Sequence, residues 1–316
     1  MEYRVLGKTG LKVSVIGMGC RQFGGVVDGR GWTRTNDKES IATIHHAESL
    51  GVNLLDTATT YGSGHSEEVM GEALKDRRDR FVVATKVKQP FLESDWDEPR
   101  VLQEIVDECE ASLRRLRTDY IDVYQMHAHP REDMLAGVMN TMIQLKKDGK
   151  VRWIGISTDD TDFIGKLLGL GDLATLQVGY SLANRSEGDA LQLARKENLG
   201  TLIRSPLAMG VLSGRYFDTA PQLDPEDMRR DHFASEKMVA AFEKLSELRF
   251  LTEGGKRTMV QAALRFVIDT EGVTSVIPGT NDRAQLEVNA GTSDAPPLTP
   301  DERTRALAIV DASGMR

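Results

Sequence analysis

The chain has 316 residues, 40% of them hydrophobic and 28% charged, so it can bury a sizeable core and is not disordered. Forty basic against forty-eight acidic residues leave a net charge of −8, which argues against a nucleic-acid partner. Only two cysteines (Cys20 and Cys109), no apolar signal core at Met1-Glu2-Tyr3-Arg4 and no run near the about 18 apolar residues of a membrane span together predict a reduced, cytoplasmic protein without a membrane partner.

The predicted elements alternate. Residues 3–13, turning at Gly7-Lys8-Thr9-Gly10, read as a hairpin placed to close the bottom of a barrel. Residues 13–17 predict the first barrel strand. Asn36 with Glu39 reads as a capping box opening a helix. Strands follow at 53–57 and 81–85. Leu102, Ile105, Val106, Cys109, Leu113 and Leu116 then form one helical stripe. After a strand at 120–126, Leu135, Val138, Met139, Met142 and Leu145 form another. Further strands are predicted at 151–156, 175–179 and 201–204. A loop at 205–235 precedes helices near 236–251 and 258–269, the second opened by a Thr258/Gln261 capping box. The eighth strand is predicted at 275–278 and a final helix at 300–312.

Eight strands alternating with helices imply a parallel sheet. Runs such as Phe81-Val82-Val83-Ala84 imply strands covered on both faces. The expected fold is α/β: a (β/α)8 TIM barrel with an N-terminal hairpin and extra C-terminal helices, one domain over 1–316. A dinucleotide fold of the open-sheet type fits less well. Gly17-Met18-Gly19 follows a strand but lacks the third glycine, and Gly62-Ser63-Gly64 lacks the phosphate-loop lysine.

Barrel chemistry sits at strand C-terminal ends. Asp56 ends the second strand, Tyr61 lies in the loop beyond it, Lys86 ends the third and His127 the fourth. Singly, each has an ordinary reading: a turn cap, packing, a solvated lysine, an interior histidine. Together at consecutive strand ends they form an acid-base set. A neighbouring ammonium favours a phenolate, a carboxylate holds a buried ammonium charged, and an imidazole can hydrogen-bond a carbonyl oxygen. That suits protonation of a carbonyl attacked at carbon. With no nucleophilic serine or cysteine in place, hydride is the natural attacker, and hydride requires a cofactor.

The motifs resemble those of the aldo-keto reductases, of the bacterial and potassium-channel-β-like branches. They are L-D-T-A-T-T-Y-G (55–62), A-T-K-V (84–87), T-D-Y-I-D-V-Y-Q-M-H (118–127), G-K-V-R-W-I-G-I-S (149–157), S-P-L-A-M-G-V-L-S-G-R-Y (205–216) and V-I-P-G-T (276–280). The resemblance implies an NAD(P)H-dependent carbonyl reductase with catalytic Asp56, Tyr61, Lys86 and His127. It implies nicotinamide contacts from Ser157 and Gln177, pyrophosphate contacts from Ser205, Leu207, Gly210 and Arg215, and adenosine contacts from Gly279, Thr280, Gln285 and Asn289. Gly19 and Cys20 match backbone beside the cofactor.

Several positions depart from the commoner pattern. The usual Ser-Asn pair is Ser157-Thr158, and Arg204 replaces the aromatic that often stacks on the nicotinamide. Basic residues are absent at Gly279 and Asn281, leaving Arg215 and Arg283 for a 2′-phosphate. NADP(H) is expected, with appreciable NAD(H) use. Arg21 and Ala128 replace pocket aromatics, and Trp32 can refill the space. This predicts a polar or anionic, sugar-like carbonyl substrate. The competing reading of Arg21 pairs it with Asp28.

Other polar clusters carry less. His45 and His46 read as helix surface, and Cys109 as core. His127 and His129 have a metal-like spacing that the resemblance argues against. Arg77-Arg78 and Arg114-Arg115-Arg117 read as cations complementing helix C-termini. A nucleotide-sensing binding subunit with little turnover is the alternative function, and a cofactor-free barrel lyase or isomerase a third.

Overall fold

The computed structural model describes residues 1–27, 30, 31, 36–88, 90, 93, 95–218 and 222–315. Trp32 and Asp28 lie outside the described residues.

β1 (Tyr3–Val5) and β2 (Lys12–Ser14) form the expected antiparallel hairpin. It delivers Leu6, fully buried, into an apolar layer with Val13, Leu54, Val82, Val123 and Leu202. A Cβ at Gly200 would stand 2.5 Å from the Leu6 side chain, so the glycine makes room for this plug. The first barrel strand is shifted from its expected position. The hairpin consumes residues 12–14, and β3 is Met18–Gly19. Val15 and Gly17 instead bond Val276, through Val276 N to Val15 O (2.9 Å) and Gly17 N to Val276 O (2.8 Å).

A short pair, β4 (Val26–Val27) and β5 (Arg30–Gly31), precedes α1 (Asp37–Ser49). Strand and helix then alternate as β6 (Leu54–Asp56), α2 (His65–Ala73), β7 (Val82–Val87), α3 (Glu98–Leu116), β8 (Ile121–Met126) and α4 (Leu135–Lys147). They continue as β9 (Val151–Ser157), α5 (Thr161–Leu170), β10 (Leu173–Gly179), α6 (Gly188–Lys196) and β11 (Gly200–Arg204). The long connection carries α7 (Arg230–Phe233), α8 (Glu236–Leu245) and α9 (Met259–Ile268) before β12 (Ser275–Val276), α10 (Arg283–Ala290) and α11 (Pro300–Ala312).

Eight parallel strands run in the order β12-β11-β10-β9-β8-β7-β6-β3. Parallel bridges Ile16–Val276 and Gly19–Gly279 join the two ends and close the ring. The register sets Asp56 beside Ala84, Lys86 beside Gln125, Ser157 beside Gln177 and Gly179 beside Arg204. All these strand ends therefore open at one mouth.

The helices bury the predicted stripes. Ile105, Cys109, Leu113 and Leu116 of α3 are core, while Leu102 and Val106 pack half-buried at its edge. The Thr258/Gln261 capping box opens α9 as expected. Asn36 caps Lys38 N at 3.0 Å, but Glu39 turns to Arg283 and no box forms there. The 205–235 stretch is not one open loop: it holds a 3₁₀ segment (Ala208–Ser213) and α7. The predicted 236–251 helix ends at Leu245 and continues as 3₁₀ turns. Among the described residues no helix is long and apolar enough to cross a membrane.

Candidate active site

The loop from β6 to α2 carries Asp56 and Tyr61 to the mouth. Thr57 N bonds Ala84 O (2.8 Å) and Thr59 N bonds Lys86 O (3.3 Å), so the loop leaves as an extension of β6 along β7. Gly62, at φ +65, turns it. A Cβ there would stand 2.2 Å from Gly24 O, a gap only glycine tolerates.

Lys86 is fully buried. Its Nζ donates to Asp56 Oδ1 at 2.8 Å, to Thr57 O at 2.7 Å and to Tyr61 OH at 3.4 Å. Burial alone pushes this ammonium's pKa down, yet Asp56 and Tyr61 outweigh it and raise the value. Asp56 Oδ2 accepts from Gln177 Nε2 at 2.7 Å and, more weakly, from Gln125 Nε2 at 3.4 Å. His127 meets Tyr61 edge to face, ring centres 5.9 Å apart. Thr60 Oγ1 lies 3.3 Å from His127 Nδ1. Burial first, then the charges of Lys86, Arg21 and Arg204, lower the imidazole's pKa from 6.5 to about 3, so it is neutral at physiological pH. The four expected residues thus meet at one point.

A cleft of about 750 Å³ runs from this point towards the N-terminus of α10. Gly19, Gln177, Arg204, Ser205, Leu207, Gly210, Arg215, Gly279, Gln285 and Asn289, all expected from the sequence as cofactor contacts, line it. Four expected contacts stand elsewhere. Thr280 is buried behind the wall, receiving Asn289 Nδ2 at 3.3 Å. Cys20 lies beneath the floor: its amide bonds Asp56 O, its carbonyl accepts from Ser66 Oγ, and burial raises its thiol pKa. Arg283 turns to Glu39 in a two-bond ion pair at 2.9 and 3.2 Å, away from the lining. Ser157 ends β9 beside Gln177, half-buried and outside the lining.

The neighbouring strand ends show how the unusual residues are held. Arg204 NH2 donates to Asp159 Oδ2 at 2.7 Å, and Asp159 Oδ1 accepts Gly179 N at 2.9 Å. A Cβ at Gly179 would stand 2.9 Å from Arg204 NH1, so the guanidinium rests on bare backbone. Thr158 turns away from the cleft to His129, which stacks on Phe163 at 4.1 Å. The two histidines of the metal-like spacing therefore serve different partners, and the described residues hold no cluster fit for a metal ion. Arg21 stands at the rim with its Cζ 5.7 Å from the Tyr61 ring centre and NH2 3.6 Å from Met228 Sδ. Ala128 lies half-buried beside His127.

The sequence reading missed Gln22, Asp159, Asp227 and Arg229. Gln22 packs where a Cβ of Gly279 would stand, 2.0 Å from its Nε2. Arg229 pairs with Asp227 (2.6 Å) and donates to Met209 O (3.1 Å), fastening the long connection over the cleft. Gly279 next to a helix start was the one signal that a side chain must approach there.

The donor set fits a nicotinamide dinucleotide. The cleft is long and glycine-lined, and the buried amide oxygens Gln22 Oε1 and Asn281 Oδ1 in its wall lack partners among the described residues. Gln177, Ser205, Gly210, Arg215, Asn281, Gln285 and Asn289 would hold such a group, which when bound supplies hydride.

The family model described as "Aldo/keto reductase family" matches residues 15–311. The chain is 31% identical to the aldo-keto reductase YhdN of Bacillus subtilis, covering 91% of this chain and 87% of that protein. It is 30% identical to the NADH-specific methylglyoxal reductase of Escherichia coli, over 96% of this chain and 98% of that one. The aldo/keto reductase of Klebsiella pneumoniae, solved in complex with NADP and acetate, superposes with a TM-score of 0.74 at 26% identity, covering 97% and 94%.

Proposed function

The chain belongs to the aldo/keto reductase family and is an NAD(P)H-dependent oxidoreductase; from that premise we propose that Tyr61 is its general acid and that the substrate is a polar or anionic, sugar-like carbonyl compound. One observation carries the first part: the buried Lys86 ammonium bonds both Asp56 Oδ1 and Tyr61 OH.

Tyr61 donates a hydrogen bond to the carbonyl oxygen and yields its proton as negative charge develops there. Lys86 stabilises the phenolate left behind, and Asp56 keeps Lys86 charged and aimed. His127 is neutral. Thr60 Oγ1 stands 3.3 Å from Nδ1, and in the tautomer that carries its proton on Nε2 the ring offers a second donor to the same oxygen. The cofactor reading is NADP(H), with NAD(H) accepted, held as one barrel unit over 1–316 in a cytoplasmic setting. Both NADP-bound and NADH-specific relatives support this breadth.

Arg21 at the rim and Ala128 beside His127 support the substrate reading: one adds a guanidinium, the other removes bulk. The intact four-residue set favours an enzyme over a nucleotide sensor. A panel of carbonyls and alcohols run with NADH and NADPH tests both. Turnover that falls by roughly 10²–10⁴-fold in Tyr61→Phe with cofactor affinity kept supports the reading. Cofactor binding without turnover on any compound would replace it with the sensor.

A further inference from the structure

Outside the barrel wall, a buried ion pair touches both chain segments that set the Lys86–Tyr61 distance. Glu67, on α2, is fully buried. Its Oε1 accepts from Thr85 Oγ1 at 2.6 Å, one residue before Lys86. Its Oε2 accepts from Arg115 Nε at 2.7 Å. Arg115, near the end of α3, donates through NH2 to Thr59 Oγ1 at 3.3 Å, two residues before Tyr61. The same NH2 reaches Ser112 Oγ at 3.3 Å. The Arg115 side chain also lies against Gly64, where a Cβ would come 2.7 Å from Cδ and Nε, at the exit of the Tyr61 loop. Arg115 stands in the last turn of α3 as expected, and its guanidinium is in addition turned inward to Glu67.

We propose that Glu67, Arg115 and Thr59 are positioning residues that fix Tyr61 against Lys86. Thr85 to Glu67 to Arg115 to Thr59 is a continuous chain of hydrogen bonds linking the strand that bears Lys86 to the loop that bears Tyr61. One Glu67 oxygen holds the Lys86 strand through Thr85, and the other holds Arg115, which in turn holds the Tyr61 loop through Thr59. Tyr61 and Lys86 stand 3.4 Å apart, where a small loop displacement removes the contact. A misplacement of about 1 Å at a reacting group can cost about 10²-fold in rate.

The inference rests on Tyr61 being the general acid, and the experiment separates the two. Thr59→Val removes the last bond of the chain, together with the 3.2 Å contact between Thr59 Oγ1 and Ser112 Oγ, at nearly constant shape and leaves the ion pair in place. Turnover on a reducible aldehyde and the dissociation constant of NADPH, read by fluorescence, are measured for Thr59→Val, Tyr61→Phe and the double variant. Expected is a kcat loss of roughly 10–100-fold in Thr59→Val, with KM and the NADPH dissociation constant unchanged, and no further loss when Thr59→Val is added to Tyr61→Phe. Glu67→Gln, which turns an amide towards Arg115, should repeat the pattern. Equal losses in both backgrounds, or no loss in either, overturn the positioning role while leaving Tyr61 intact. A Tyr61→Phe enzyme with normal turnover overturns the general-acid reading itself.

Discussion

Gln177 donates to the carboxylate of Asp56 at 2.7 Å across the barrel mouth. The same carboxylate holds Lys86 through its other oxygen. Asp56 is 3% exposed and Lys86 fully buried, so the pair depends on its own hydrogen bonds rather than on water. Removing one partner of a buried pair typically costs about 3–5 kcal/mol, because the other charge is left uncompensated. Asp56→Asn should lose most activity and unfold at clearly lower urea. Gln177→Leu, which keeps the ion pair, should cost far less stability. Equal urea midpoints for the two variants would refute this ranking.

The pH behaviour of His127 follows from its depressed pKa, about 3 against 6.5. Between these values the unfolded chain takes up a proton at this site and the folded chain does not. Stability from this group is thus complete above pH 6.5 and is lost as pH falls towards 3. The unfolding free energy of wild type should decline more steeply over that window than that of His127→Gln. Turnover should show no acid limb from His127 between pH 5 and 8. A histidine signal titrating near 6.5, absent from His127→Gln spectra, would contradict both.

The barrel and the four mouth residues were legible because strand periodicity and strand-end position are local in sequence. Glu67 and Arg115 were not. Glu67 drew no reading and Arg115 read only as a helix-end cation, because it takes the packing of α2 on α3 to bring the two together. The first strand was displaced for the same kind of reason. Residues 12–14 can pair with β1 or with the barrel, and the pattern of side chains is identical in either.

Arg283 and Arg215 were equal candidates for a 2′-phosphate in the sequence, and the structure separates them. Arg283 is bound by Glu39, whereas Arg215 lines the cleft. Arg215→Ala should weaken NADPH binding by roughly tenfold, as for loss of a charged hydrogen bond, and NADH much less. Arg283→Ala should change the NADPH-to-NADH affinity ratio little, by no more than the few-fold expected of a surface pair. Dissociation constants for both cofactors at two salt concentrations check this. A larger effect from Arg283 would reverse the assignment.

The proposed substrate class is tested most directly at the rim of the site. After burial and Lys86, the charges of Arg21 and Arg204 also help to lower the pKa of the His127 imidazole. Arg204 pairs with Asp159 at 2.7 Å. Arg21 contacts the sulfur of Met228, and its guanidinium lies 5.7 Å from the Tyr61 ring centre. A carboxylate, phosphate or vicinal hydroxyl pair on the substrate can meet its planar fork in two bonds. A hydrogen bond to a charged group is worth roughly 10–100-fold in discrimination. Arg21→Ala should therefore raise the KM of an anionic aldehyde by about that factor and leave a small neutral aldehyde nearly unchanged. Arg21→Lys should recover only part of the loss, because an ammonium lacks the fork. The effect should shrink as ionic strength rises, since the rim is open to solvent. Parallel changes for charged and neutral aldehydes, or benzaldehyde-type compounds as the best substrates, would remove Arg21 from substrate recognition.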